Sequence, residues 1–153
     1  MEWAVAPSKG MSDRVLRLCV PPDARYVPQV RRALGSFAHR HKVAERDIDT
    51  LLLAVGEAMA NAVEHSDSTH DIEVQCRVDD REITATVIDS GRGVERSTGD
   101  RFLPLPEPLS ERGRGIPIMQ RCTDMFSMRP LPGGGTGVVL GLLRHVQEKE
   151  TGL

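Results

Sequence analysis

Between Glu45 and His65, apolar residues return every three or four positions: Ile48, Leu51, Leu52, Val55, Met59, Ala62 and Val63. That spacing gathers them on one stripe of a helix, which needs a surface to pack against. It is the clearest element of the chain. Two polar residues break into it. Glu57 and Asn61 are four apart, so they stack on one flank. His65 continues the row, drifting about 40° per step of four.

The flanking segments show what could face that stripe. Val15 to Val20 alternates apolar and polar and predicts a first strand, stopped by Pro21-Pro22. Asp23 is placed to cap a helix running through Val27, Val30, Leu34 and Phe37 and ending near Arg40-His41, with Pro28 in its first turn. Ile72 to Val78 and Ile83 to Ile88, joined by Asp79-Asp80, read as a β-hairpin. Gly115 to Met119 opens a short helix with Pro117 in its first turn. Met125 to Met128 is a short strand. Gly133 to Gly135 form a turn, and Val138 to Leu143 is a fully apolar strand, as expected at the centre of a covered sheet.

Strict strand–helix–strand alternation is absent. The order predicts an α+β two-layer sandwich, with helices on one face of a mixed, mostly antiparallel sheet. At 153 residues, one domain is expected over residues 13–146, after a loose leader (1–12) and before a polar tail (147–153). Ser90 to Arg112 is long, polar and broken by Pro104, Pro106 and Pro108, which predicts a mobile lid.

Composition removes several function classes. A net charge of -2 with interspersed signs argues against a broad nucleic-acid face or a polybasic membrane patch. No apolar run approaches a membrane span and no signal sequence is visible, so a cytoplasmic protein is expected. Cys19, Cys76 and Cys122 are odd in number and widely spaced, which argues for buried, inert thiols over a disulfide framework or zinc site. A zinc reading of Glu57, Asn61 and His65 is poor, because Asn is a weak zinc ligand.

Four short motifs carry the chemistry. Glu57 and Asn61 lie in a segment otherwise apolar or small, so they should be partly buried. Burial without a partner costs on the order of several kcal/mol. A hydrated Mg²⁺ would suit their oxygens, and the carboxylate could act as a general base. Asp89-Ser90-Gly91-Arg92-Gly93 leaves a strand. Alone it reads as a turn, but Asp89 could accept the exocyclic amine of adenine, and Gly91 and Gly93 would let a flat base approach. Arg112-Gly113-Arg114-Gly115 enters a helix and could offer amide N–H groups to a phosphate. Gly133-Gly134-Gly135-Thr136-Gly137 precedes the last strand and lacks the Lys-Ser/Thr ending of a P-loop.

In this order the motifs resemble the ATP-binding domain of the gyrase, Hsp90, histidine-kinase and MutL superfamily (the Bergerat-type fold). They are most similar to its small stand-alone branch, the RsbW-type anti-sigma-factor serine kinases. The resemblance spans residues 14 to about 145. It implies Glu57 as general base, Asn61 as Mg²⁺ ligand, and Asp89 as the adenine-reading residue with Gly91 and Gly93 beside it. It implies phosphate contacts from Arg112, Gly113, Arg114, Gly115 and Ile116, and a place for Thr136 near adenine. It also implies ATP and Mg²⁺ as cofactors, an anti-anti-sigma (STAS-type) protein as phosphorylated substrate, a sequestered sigma factor, and a possible homodimer. A nucleotide-gated binding module without kinase activity needs the same motifs and stays open. So does a plain interaction domain.

Overall fold

The computed structural model describes residues 5–7, 14–65, 70–90 and 115–145. In chain order these form β1 (Val5–Pro7), β2 (Val15–Val20), a 3-10 turn (Ala24–Tyr26), α1 (Val27–Arg40), α2 (Glu45–His65), β3 (Ile72–Val78), β4 (Glu82–Asp89), α3 (Gly115–Cys122), β5 (Met125–Pro130) and β6 (Thr136–Leu143). The sheet has six strands in the order β1-β2-β3-β4-β6-β5. Every described pairing is antiparallel, so the expectation of a mixed sheet narrows.

Local chemistry sets the element boundaries. The Asp23 carboxylate accepts the Arg25 amide at 3.0 Å and so starts the turn into α1. That backbone hydrogen bond, followed by one from the Arg25 side chain, holds the carboxyl below its ordinary range. The α2 stripe buries Ile48, Leu51, Val55, Met59 and Ala62, and Ala54 and Ala58 widen it. Leu52 and Val63, at its margins, are half-buried. β3 and β4 bury every second residue, so one face of the sheet meets the helices. Leu18, Val20, Ile72, Val74, Ile83 and Leu140 are fully buried under α1 and α2. Each such side chain contributes roughly 1.5–3 kcal/mol.

Three expectations are corrected. Val5–Pro7, inside the segment expected as a loose leader, pairs with β2 as an edge strand. The apolar run of β6 is fully covered on one face and only partly on the other. Val138, Leu140 and Leu142 enter the core, whereas Leu143 on the opposite face is 55% exposed. A continuous apolar run therefore did not require two fully covered faces. Among the cysteines only Cys76 is fully buried, and burial pushes its thiol up to about 12. Cys19 is exposed on the open face of the sheet. Partial desolvation, then the Glu73 and Asp71 carboxylates, raise its pKa.

The exit of β6 is tied down by polar contacts. The Arg144 guanidinium donates to the Asp79 carbonyl at 2.6 Å and the Lys42 carbonyl at 3.1 Å. The Asp47 carboxylate, 2% exposed in the first turn of α2, accepts the His145 amide at 2.7 Å. Its other oxygen lies 2.6 Å from His145 Nδ1. The N-terminus of α2 is thereby fastened where β6 ends.

Candidate functional site

This fastening sets the direction of α2 over the sheet. Asp47 sits at the exit of β6, so α2 and β6 run in opposite senses. From Asp47 to Asn61 the helix climbs about 21 Å at 1.5 Å per residue. From Leu143 back to Thr136 the strand covers about 23 Å. Asn61 is therefore level with the start of β6.

At that same end β4 finishes. The core-facing cross-strand pairs of β4 and β6 are Ile83–Leu142, Ala85–Leu140, Val87–Val138 and Asp89–Thr136. Three apolar pairs are followed by one polar pair. Asp89 is only 5% exposed and Thr136 only 6%. Period-2 alternation aims both side chains into the helix-covered layer. A carboxylate at that depth needs donors, and Asp89 has a partner in the structure. Its two oxygens offer about four acceptor positions, which leaves capacity for a ligand amine.

Gly135 holds this corner together. Its φ is 97°, and a Cβ there would collide with the Asp89 carbonyl oxygen. Only a glycine lets the β5–β6 turn press against the exit of β4. Gly133 and Gly134 also adopt positive φ, at 89° and 108°. The turn is closed by Leu131 N–H donating to the Gly135 carbonyl and Gly134 N–H donating to the Leu131 carbonyl, both at 3.0 Å.

α2 and α3 supply the rest. Glu57 and Asn61 are both half-buried, while His65, expected to continue their row, is exposed. α3 packs on α2 and is anchored by the fully buried Met119, and Ile116 packs against the core. A Cβ built on Gly115 would stand 3.1 Å from Glu57 Oε1. The structure thus brings Glu57 to Gly115, and Asp89 to Thr136. No side-chain hydrogen bond joins Glu57, Asn61 or Thr136 to another described residue. Thr136 is thus a buried hydroxyl without such a partner, the condition that a bound polar ligand relieves. Gly91, Gly93, Arg112, Gly113 and Arg114 lie outside the described residues, as does the expected lid apart from Ser90.

Among the described residues no group of three His, Cys, Asp or Glu side chains could hold a metal. No described helix is long and apolar enough to cross a membrane. Sequence reading overlooked Asp47. Its signal was available, since residues 47, 51, 55, 58 and 62 share the buried phase of α2.

Comparison with known proteins gives the family and the fold. The family described as "Histidine kinase-like ATPase domain" matches residues 20–142. An "Anti-sigma F factor" of Clostridium acetobutylicum is 29% identical over 115 residues, covering 72% of this chain and 80% of that protein. A "Serine-protein kinase RsbW" of Bacillus velezensis is 25% identical over 140 residues, covering 86% of this chain and 85% of that protein. Among solved structures, the RsbU and RsbW domains of Rv1364c from Mycobacterium tuberculosis share the fold. The TM-score is 0.64 at 20% identity, over 86% of this chain and 33% of that one.

Proposed function

This chain belongs to the histidine kinase-like ATPase family, and we propose that within it the protein is an ATP- and Mg²⁺-dependent serine/threonine kinase of the anti-sigma type. Its substrate is an anti-anti-sigma protein, and its second partner is a sigma factor that it sequesters. The observation that carries this reading is the meeting of two pairs at one end of the molecule. Glu57 touches the start of α3, and the buried Asp89–Thr136 pair closes the sheet at the level of Asn61. The names of the relatives support the regulatory role.

In this reading Asp89 accepts the exocyclic amine of adenine, and Thr136 offers its hydroxyl beside it. Gly91 and Gly93 leave room for the base. Amides around Gly113, Gly115 and Ile116, with Arg112 and Arg114, receive the phosphates. Asn61 holds Mg²⁺ through its carboxamide oxygen. When bound, Mg²⁺ supplies counter-charge for the phosphate oxygens. Glu57 orients the hydroxyl of the substrate serine or threonine and accepts its proton. Phosphoryl transfer asks the protein mainly for positioning and charge stabilisation, and rigid α2 and α3 provide the first.

The test is incubation of the protein with labelled ATP and a partner captured from native extract. Label should move to the partner. Glu57→Ala should lower the rate by about 10²- to 10⁴-fold while nucleotide affinity stays within a fewfold. Asn61→Ala should lose Mg²⁺-dependent binding and activity together. If the parent moves no label, and Glu57→Ala sequesters the partner as the parent does, the protein is a nucleotide-gated binder.

A further inference from the structure

Gly115 is a costly choice at its position. It opens α3, where alanine would favour the helix by up to about 1 kcal/mol. Its backbone does not require glycine either, because its φ lies outside the positive range that Gly133 to Gly135 occupy. The reason must be sought around its α-carbon. A Cβ there would meet Glu57 Oε1 at 3.1 Å and Glu57 Cβ at 3.8 Å. Among the described residues outside its own helix, the side chain this glycine accommodates is that of Glu57.

Both partners are held by rigid packing. Glu57 projects from a turn of α2 whose next two residues, Ala58 and Met59, are 1% and 0% exposed. α3 is fixed by Met119, 0% exposed one turn after Gly115. Close packing on both sides resists a retreat of either helix. The carboxylate can give way, because it is the far end of a flexible side chain. A substituent at position 115 would therefore move the carboxylate and leave the fold in place.

We propose that Gly115 is a positioning residue for Glu57: its missing side chain sets how closely the carboxylate lies to the first turn of α3. This rests on the kinase reading and deepens it. Under that reading the amides of this turn receive the phosphates, so Gly115 fixes the distance between the base and the transferred group. Gly115 contributes to binding through its backbone amide, which alanine retains. The two roles therefore separate experimentally. A Cβ at 3.1 Å obliges the carboxylate to give by only a few tenths of an ångström, so the loss should be smaller than the roughly 10²-fold that a misplacement of about 1 Å can cost.

The experiment compares the parent, Gly115→Ala, Glu57→Asp and the double variant. Gly115→Ala should lower kcat by about threefold to tenfold, with KM for ATP and nucleotide affinity within about twofold and a melting temperature no lower than the parent's. Glu57→Asp shortens the side chain by one methylene and clears the methyl group, at its own cost in rate. The double variant should be no slower than Glu57→Asp alone. Losses that multiply in the double variant would overturn the proposal. So would a Gly115→Ala protein that keeps the parent's kcat, or one that changes only KM. If the parent transfers no phosphate, the kinase reading fails, and crystal structures of parent and Gly115→Ala decide the positioning claim by themselves. A displaced Glu57 carboxylate in the variant supports it, and an unmoved one refutes it.

Discussion

The two ends of the sheet use polar residues in opposite ways. Where β6 exits, the polar groups turn on one another. Asp47 takes the amide and ring of His145. Asp124 accepts the Leu143 amide at 2.8 Å, and Asp79 accepts the Arg81 and Glu82 amides, each at 2.8 Å. Arg144 spans carbonyls of two separate turns. Where β6 begins, Glu57, Asn61 and Thr136 make no side-chain hydrogen bond to another described residue. The paired end fastens the helices to the sheet. The other end holds half-buried Glu57 and Asn61 and buried Thr136 without such bonds, the arrangement the proposed nucleotide site calls for. Burial alone does not separate the two, because Asp47 and Asp89 are 2% and 5% exposed.

This contrast can be broken experimentally. The largest effect is expected from Gly135→Ala, which forces a side chain onto a positive-φ residue and into the Asp89 carbonyl. It should cost at least about 2 kcal/mol in denaturant unfolding and remove measurable ATP binding, because it displaces both members of the polar pair. Retained binding would show that the corner is not the site.

Asp89→Ala should separate function from stability. Losing a charged acceptor, worth about 1.5–3 kcal/mol, should weaken ATP binding about tenfold to a hundredfold in calorimetry. The fold should survive the change, with the loss of affinity as the readout. Asp47→Ala should do the reverse. It should lose about 1.5–3 kcal/mol of stability and keep nucleotide affinity within about twofold. If Asp47→Ala weakened ATP binding as much as Asp89→Ala, the two ends would not be functionally distinct.

The smallest effect is a pH dependence at the paired end. The amides of Glu82 and Arg81 hold the Asp79 carboxyl below its ordinary value of 3.8. A carboxyl lowered by folding stabilises the protein above its unfolded value, and that contribution is lost as pH falls through the folded value. Asp79→Ala should therefore flatten part of the decline in melting temperature below about pH 4. At alkaline pH the sign reverses for Cys76. Its thiol is raised from 9.0 to about 12 by burial, so stability should fall as pH climbs through that window. Cys76→Ala should remove that slope.

Most of the fold was legible in the sequence because it rests on local periodicity. The 3.6-residue spacing of Ile48, Leu51, Val55, Met59 and Ala62 sets the length and buried face of α2. The two-residue alternation of β3 and β4 sets the hairpin, and Asp23 with Pro28 sets the start of the first helix. The motif residues were legible too, as residue types at given spacings. What they touch was not. Nothing local told Asp47 from Asp89, because one is bonded to His145, 98 residues on, and the other lies across the sheet from Thr136, 47 residues on. Nothing local said that β6 would insert between β4 and β5, or that an apolar run would leave Leu143 exposed. Periodicity records which side of a residue is dry. Only the packed chain decides which distant group lies on that side, and whether a buried polar atom is already satisfied.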